Sequence, residues 1–257
     1  TALASHPPRI HPTAIIKPGA VIGANAEVGP YCIVGSHVTL GDGVRLDSHV
    51  RIDGDTVVGR NTRVHSFATL GAEPFDLKHD PAANSTLVIG ERCRIAEYAH
   101  LSGGTSGGGG STRLGDGCFI MSHCHVAHDC MLGDGVLLAV SAALAGHCHV
   151  GSGARISGYA CVHQRVRIGM GAFVGGGAVL AADLIPYGLA VGNRATLASL
   201  NLVGLRRQRS GPEAAEELRL MLAAFRYLFE IPLRGGGFYV PMELPHRPTL
   251  AARADEV

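Results

Sequence analysis

Hydrophobic positions in this chain recur with a period of six residues over most of its length. The recurring aliphatic positions are Ile10, Ile16, Ile22, Val28, Val34, Leu40, Leu46, Ile52, Val58, Val64 and Leu70, then Ile89, Ile95 and Leu101, and then Leu114, Ile120, Val126, Leu132, Leu138, Leu144, Val150, Ile156, Val162, Ile168, Val174 and Leu180. This period fits neither an amphipathic helix nor an alternating strand. It is typical of solenoids in which each short strand supplies one inward aliphatic residue and then turns a corner. The pattern therefore predicts an all-β solenoid of hexapeptide repeats.

The residue after the aliphatic position is often glycine, as at Gly23, Gly59 and Gly133. We expect these glycines to supply the backbone conformations that a tight corner demands. Two interruptions, 71–88 and 102–113, break the register. We predict that both are loops that leave the solenoid at corners, and that the second, SGGTSGGGGSTR, is flexible.

The repeat ends near Pro186, and helical spacing follows in 212–230, which Pro212 opens. The apolar stripe of this helix is predicted to pack against the end of the solenoid, and it consists of Leu218, Leu222, Phe225 and Phe229. We therefore predict a β-helix domain over 1–190 and a short C-terminal α-helical region with a tail over 191–257. The Gly- and Pro-rich tail from Arg234 is expected to be irregular.

Composition narrows the function classes. The 257 residues can bury a sizeable core, and the net charge of +1 does not favour a nucleic acid or a membrane surface as partner. No apolar run is long enough for a spanning helix, so stable membrane insertion is not expected. The opening segment TALASHPPRIHP lacks a signal pattern, so a cytoplasmic location is expected.

Seven cysteines occur without a CxxC motif, and six of them share one position of the repeat. These six are Cys32, Cys93, Cys118, Cys124, Cys130 and Cys148. Because Ala, Val or Thr otherwise holds that position, we interpret them as small core residues rather than ligands or disulfides.

Histidines concentrate in the segments HCHVAHDC (123–130), AGHCHV (145–150) and VHQ (162–164). If three hexads make one coil, residues 18 apart stack one rung of about 4.8 Å apart. The predicted stacks are His128 over Gly146 and Gln164, Asp129 over His147, and His125 over Ala143 and Cys161, with His163 in a neighbouring column. Four histidines and a carboxylate would then share one corner, where Gly146 would leave open space and an approachable amide.

Three interpretations of this corner stay open. In acyl transfer, a histidine takes the proton of an attacking hydroxyl, a second group orients it, and a backbone N–H stabilises the oxyanion. In a metal site, the alternating His, Cys and Asp residues would be ligands, although the cysteines are expected to face inward. In the third interpretation the histidines are ordinary surface residues without a chemical role.

Several segments together resemble the UDP-N-acetylglucosamine O-acyltransferase family, in register from Ile10 to about Phe229. They are HVAHDC (125–130), LAGH (144–147), VHQ (162–164), FDLKHD (75–80) and GNRAT…NLVGLRR (192–207). The resemblance implies a left-handed parallel β-helix and a homotrimer with sites between subunits. It implies transfer of a 3-hydroxyacyl chain from acyl carrier protein to the 3-position of UDP-N-acetylglucosamine, the first step of lipid A synthesis, without a cofactor.

The resemblance also implies residue roles. His128 would be the general base, Asp129 would support it, and the Gly146 amide would form the oxyanion hole. Asp76 and Lys78 would contact substrate from a neighbouring subunit. The other implied contacts are His125, His147 and His163 along the cleft, Gln164, Asn201 and Arg207 on the nucleotide, and Arg206, Arg207, Arg209, Arg219 and Arg226 as basic surface for acyl carrier protein. Gly176 aligns with the position that sets acyl length and would accept a long chain, although it could equally be a glycine that turns a corner.

The chain departs from the family pattern on the acceptor and nucleotide side. The departures are Phe75 in place of Gln, Ser102, Gly103 and Gly104 in place of HRG, Arg194 in place of His, Val203 in place of an acidic residue, and Gln208 in place of Arg. One alternative is therefore an acyltransferase that acts on a 3-amino sugar nucleotide. The related N-acyltransferase carries an extra N-terminal domain, for which this sequence offers no room before Ile10. The other alternative is a metal-binding hexapeptide scaffold.

Overall fold

The computed structural model describes residues 6–208, 212–229, 231–232 and 238–239. Short strands follow one another at nearly every aliphatic position of the repeat. In chain order they are β1 Arg9–Ile10, β2 Ile15–Ile16, β3 Val21–Ile22, β4 Glu27–Val28, β5 Ile33–Val34, β6 Thr39–Leu40, β7 Arg45–Leu46, β8 Arg51–Ile52, β9 Asp55–Val58, β10 Arg63–Val64, β11 Thr69–Ala72, β12 Thr86–Ile89, β13 Arg94–Ile95, β14 His100–Ser102, β15 Ser111–Leu114, β16 Phe119–Ile120, β17 His125–Val126, β18 Met131–Leu132, β19 Leu137–Leu138, β20 Ala143–Leu144, β21 His149–Val150, β22 Arg155–Ile156, β23 Cys161–Val162, β24 Arg167–Ile168, β25 Phe173–Val174, β26 Val179–Leu180, β27 Gly188–Val191, β28 Thr196–Leu200, β29 Ile231–Pro232 and β30 Phe238–Tyr239. Two helices, α1 Leu202–Gln208 and α2 Pro212–Phe229, lie between β28 and β29.

From β1 to β26 the strands form three parallel faces, because each strand pairs with the strand three places along the chain; β27 and β28 extend face 1 at its end. Face 1 contains β1, β4, β7, β10, β13, β16, β19, β22, β25, β27 and β28; face 2 contains β2, β5, β8, β11, β14, β17, β20, β23 and β26; face 3 contains β3, β6, β9, β12, β15, β18, β21 and β24. Val126 pairs with Leu144, and Leu144 pairs with Val162. One coil is therefore 18 residues, and the predicted left-handed parallel β-helix is confirmed.

The inward aliphatic residues form one continuous core. Ile120, Leu138 and Ile156, which succeed one another on face 1, are each fully buried. The six cysteines of the shared repeat position are buried and free, whereas Cys161 is exposed on face 2. The interpretation of these six as small core residues is confirmed.

The glycines after the aliphatic positions are explained by close contact between coils, not by an unusual backbone. The left-handed conformation falls two residues later, for example at Asn25 (φ 56°) and His147 (φ 63°). At Gly23 a Cβ atom would stand 2.6 Å from the Asp42 nitrogen of the next coil. The expectation that these glycines supply a special corner conformation is therefore wrong.

The two interruptions behave differently. Residues 73–85 leave the coil between β11 and β12 and expose the side chains of Phe75 and Leu77. In the second interruption Thr105 and Thr112 are buried, and β15 already begins at Ser111. This segment packs onto the coil instead of forming the predicted flexible loop.

The C-terminal elements close the solenoid. β27 adds in parallel to β25, and β28 returns antiparallel to β27. The α2 stripe packs with Leu200 and Leu205 in a second apolar cluster, as predicted, whereas α1 was not predicted. The domain boundary placed after residue 190 falls within β27 and stays a prediction, and the tail from Arg234 lies outside the described residues except for β30. In the described part of the chain, neither helix is long and apolar enough to cross a bilayer.

Candidate active site

The corner between faces 2 and 3 joins His128 directly to a buried carboxylate. His128 Nδ1 lies 2.8 Å from Asp129 Oδ2, and Asp129 is only 3% exposed. Because a carboxylate accepts and does not donate, the proton of this bond resides on His128 Nδ1. In the neutral imidazole this leaves the lone pair on Nε2, and that tautomer is the one that a general base requires.

The glycine-rich segment holds this carboxylate in place. The Thr105 amide donates to Asp129 Oδ1 at 2.9 Å, and the Thr105 hydroxyl donates to Oδ2 at 2.6 Å. At Gly108 a Cβ atom would stand 2.1 Å from Asp129 Oδ2, so only glycine fits there. The segment is therefore the wall behind Asp129, and its glycines permit close approach.

Gly146 lies one coil beyond His128, in the predicted stack. A Cβ atom at Gly146 would stand 2.5 Å from His128 Cε1, so the imidazole ring itself fills the space that was predicted to be open. Within the described residues, the Gly146 amide has no hydrogen-bond acceptor, whereas the equivalent amide of Asp134 donates to Ser152 Oγ at 3.1 Å. A free N–H donor and the base thus lie side by side.

His147 adds a second imidazole to the corner. Its Nδ1 lies 3.8 Å from Asp129 Oδ2, and its ring meets the His128 ring edge-on with centroids 5.0 Å apart. Burial lowers the pKa of His147 despite the opposing effect of Asp129. A lowered pKa favours the neutral imidazole, which can both donate and accept a hydrogen bond.

His125 precedes the corner on β17, with Ala143 and Cys161 in the next two coils, as predicted. Its other neighbour is His100 of the preceding coil, which sequence reasoning missed. Their Nδ1 atoms lie 3.2 Å apart. Burial lowers the pKa of both imidazoles, and the charges of His100 and His128 lower that of His125 further.

The 73–85 loop brings an acidic group towards the same corner. The Lys78 amide donates to Asp76 Oδ1 at 3.0 Å and is the main cause of a lowered pKa at Asp76, to which His128 and His147 also contribute. The charges of this corner therefore reach Asp76, and the contact of Asp76 and Lys78 with substrate from a neighbouring subunit stays a prediction.

The remaining predicted residues do not join the His128–Asp129–His147 cluster. His163 and Gln164 lie on the same corner but are exposed, and His163 Nδ1 approaches the Gln164 carbonyl at 3.3 Å. Asn201 is 8% exposed, donates from Nδ2 to the Gly171 carbonyl and accepts from the Gly204 amide of α1. One N–H of Nδ2 and one lone pair of Oδ1 are therefore used structurally, and the nucleotide contact of Asn201 stays a prediction. Arg207 is exposed on α1.

Gly176 lies on the corner between faces 1 and 2. The atom nearest to an added Cβ would be the Gly158 carbonyl oxygen at 3.6 Å, which is ordinary contact. The left-handed residue of this turn is Gly177 (φ 65°). The backbone of this corner therefore does not require glycine at 176, and the interpretation of Gly176 as a corner-turning glycine is not supported. Its role in setting acyl length stays a prediction.

The arginines predicted to contact acyl carrier protein and the departures from the family pattern lie in several separate parts of the chain. Arg206 is exposed, Arg219 pairs with Glu216 at 2.7 Å, and Arg209 lies outside the described residues, as does the side chain of Gln208. Val203 is 58% exposed on α1, and Arg194 is exposed in the β27–β28 turn. The other departures from the family pattern, Ser102, Gly103 and Gly104, lie at the start of the glycine-rich segment behind Asp129.

The same corner also contains the described group that could hold a metal ion. One ligand atom each from His128, Asp129 and His147 lies within 4.8 Å of the others. Both oxygens of Asp129 already accept hydrogen bonds from Thr105, and Oδ2 accepts a third from His128. A metal would have to replace these bonds, so the arrangement fits an oriented base better than a preformed metal site.

Thr105, Thr112 and His100 are the site residues that sequence reasoning missed. Thr112 Oγ1 accepts the Asp129 amide at 2.8 Å. His100 pairs with His125 across 25 residues instead of 18, because the second interruption separates them. Counting seven residues of that interruption as an insertion restores the spacing of 18 and would have found the pair.

Two family profiles match the chain. Residues 7–42 and 111–146 match the bacterial transferase hexapeptide family, and residues 183–235 match the second domain of UDP-N-acetylglucosamine O-acyltransferase.

Several curated relatives share the name acyl-(acyl-carrier-protein)–UDP-N-acetylglucosamine O-acyltransferase. The protein of Campylobacter concisus is 42% identical over 68% of this chain and 66% of its own length, just under two thirds. A Campylobacter jejuni relative is 44% identical over 66% of this chain and 63% of its own length. That of Myxococcus xanthus is 44% identical over 70% and 68%.

Solved structures agree over more of the chain. UDP-N-acetylglucosamine acyltransferase from Campylobacter jejuni superposes with a TM-score of 0.81 at 39% identity, over 86% of this chain and 84% of that one. The Arabidopsis enzyme superposes with a TM-score of 0.75 at 34% identity, over 86% and 83%. The chain therefore belongs to the UDP-N-acetylglucosamine O-acyltransferase family of hexapeptide-repeat proteins.

Proposed function

We propose that this chain transfers a 3-hydroxyacyl group from acyl carrier protein to the 3-hydroxyl of UDP-N-acetylglucosamine, the first step of lipid A synthesis. The observation that carries the proposal is the His128–Asp129 pair beside the Gly146 amide, which has no acceptor among the described residues. Family membership supplies the substrates, since the relatives' names state both the donor and the acceptor.

The proposed chemistry needs one base and one oxyanion donor. His128 Nε2 takes the proton of the acceptor hydroxyl while its oxygen attacks the thioester carbonyl. The Gly146 N–H stabilises the negative charge on the former carbonyl oxygen. When the tetrahedral intermediate collapses, the carbon–sulfur bond breaks and the His128 imidazolium returns the proton to the departing thiolate. Asp129 keeps the imidazole oriented throughout.

The proposed enzyme is a homotrimer with sites between subunits. Within one chain, Arg207 of α1 does not join the catalytic corner, so a nucleotide contact from Arg207 would have to come from another subunit. The loop side chains of Phe75 and Leu77, 77% and 106% exposed, support such an association because they present apolar surface. The cytoplasmic location and the basic contact with acyl carrier protein, through Arg206 and Arg207, stay predictions.

A substrate panel tests the proposal. The purified protein is incubated with 3-hydroxyacyl carrier proteins of several chain lengths and with UDP-N-acetylglucosamine or its 3-amino analogue, and products are identified by mass spectrometry. We expect a singly acylated UDP-N-acetylglucosamine. If only the amino analogue were acylated, the proposed acceptor would be wrong and the 3-amino sugar nucleotide would take its place. If no combination of donor and acceptor gave a product, the proposal would be overturned. Stoichiometric zinc that survives dialysis would favour the metal-binding scaffold.

A further inference from the structure

Three aromatic rings with nearly parallel planes lie together on face 2, beside the corner of His128. The Phe75 and His100 rings lie 5.0 Å apart at 4°, the His100 and His125 rings 5.1 Å apart at 16°, and the Phe75 and His125 rings 6.3 Å apart at 12°. The three ring centroids thus form a triangle, in which Phe75 lies against both imidazoles. His100 and His125 are successive outward residues of face 2, whereas Phe75 comes from the 73–85 loop.

The Phe75 contact is not imposed by the coil register. On the corner between faces 1 and 2, a separate ladder of rings includes Phe67, Tyr98 and His123, which occupy the same repeat position in successive coils. Stacking there follows from the repeat. Phe75 lies outside the repeat, is 77% exposed and still lies parallel to both His100 and His125, so the loop is placed against this pair of imidazoles.

The two histidines share a single hydrogen-bonding proton. Their Nδ1 atoms are 3.2 Å apart, so one ring donates from Nδ1 and the other accepts. Burial lowers the pKa of both, which favours neutral rings with complementary tautomers. The Nδ1 of His125 is therefore committed to His100, and its Nε2 is the nitrogen left for a substrate.

We propose that His100 is a positioning residue that fixes the tautomer and ring orientation of His125, with Phe75 covering the pair of imidazoles. The proposal rests on the proposed function, in which His125 lines the acceptor site. His100 would act only through His125 and would not touch the reacting atoms.

The kinetic test compares three variants at His100 and His123. His100→Ala should lower kcat/KM for the acceptor roughly tenfold, mainly through KM, because His125 loses the partner that orients it. His100→Asn should recover most of this loss, since its amide can replace an Nδ1 donor or acceptor. His123→Ala is the matched control, because it removes an equally stacked imidazole from the other ladder, and it should retain wild-type kinetics.

Nitrogen-15 spectra of the labelled imidazoles at neutral pH provide a readout that needs no turnover. We expect His100→Ala to change the tautomer of His125, and His100→Asn to restore it. An unchanged His125 tautomer in His100→Ala would overturn the proposal. If the wild-type protein failed to acylate any nucleotide, the proposed function would fall, and the spectra alone would still decide whether His100 positions His125.

Discussion

Single residues determine whether the base at this corner is oriented. His128 depends on one hydrogen bond to Asp129 and on the absence of a side chain at Gly146. The sequence was sufficient to predict these three residues, because stacking at 18 residues needs only an unbroken repeat between 114 and 180. It was insufficient for Thr105, which lies inside an interruption whose path the sequence pattern does not specify. It would have found His100 only if the number of residues inserted by that interruption had been taken into account.

Gly146→Ala should reduce turnover much more than stability. The added Cβ would collide with His128 Cε1 and Nε2, at 2.5 and 2.6 Å, and a side-chain ring can move away at little cost. We expect kcat to fall roughly 100-fold as the base is displaced, a loss typical of a misplaced catalytic group. Steady-state kinetics and a thermal melt of the same sample measure both effects. A large fall in Tm with normal kcat would contradict this geometry.

Acidification should destabilise the fold through His100 and His125. Both have a pKa below the ordinary 6.5, so the folded state binds protons less readily than the unfolded state. Their contribution to stability is complete above the unfolded pKa and is lost as pH falls through the folded pKa. Denaturant titrations between about pH 8 and about pH 5 should show this loss, and it should shrink in His100→Ala. An equal pH dependence in the variant would show that the pair does not cause it.

At the scale of elements, the repeat accounts for the strands and the insertions account for the site. Six-residue periodicity predicted the strands and faces because one inward aliphatic per strand is a local rule. The path of 102–113 was not predictable from composition. The glycine content of this segment is typical of a flexible linker. At Gly108, however, glycine is required because the backbone lies in close contact with the Asp129 carboxylate.

Two neighbouring glycines of this segment provide a matched test. Gly108→Ala would place a Cβ 2.1 Å from Asp129 Oδ2, whereas a Cβ at Gly107 would meet nothing within 4 Å. We expect Gly108→Ala to lower kcat roughly tenfold or more by moving Asp129 or the segment, and Gly107→Ala to behave as wild type. If the two variants were indistinguishable in kinetics, the segment would not be a wall of the site.

At the scale of the whole molecule, the predicted nucleotide contacts Asn201 and Arg207 belong to the C-terminal elements and not to the corner of His128. Arg207 lies on α1, and Asn201 hydrogen-bonds to the Gly171 carbonyl and to the Gly204 amide. In the proposed homotrimer, a neighbouring subunit would bring such contacts to the corner. Size-exclusion chromatography with light scattering should therefore give three times the chain mass of 26.7 kDa. An active monomer would contradict the shared site.

The most direct test of the account is the effect of His128→Ala on acyl transfer by the intact assembly. The variant and the wild-type protein are compared in kcat/KM with 3-hydroxyacyl carrier protein and UDP-N-acetylglucosamine, after both are shown to have the same mass and Tm. Since His128 is the proposed general base, kcat/KM should fall by about 100-fold or more. A variant that retained kcat/KM within about threefold of wild type would contradict the central claim, because removing a general base lowers the rate by far more than threefold.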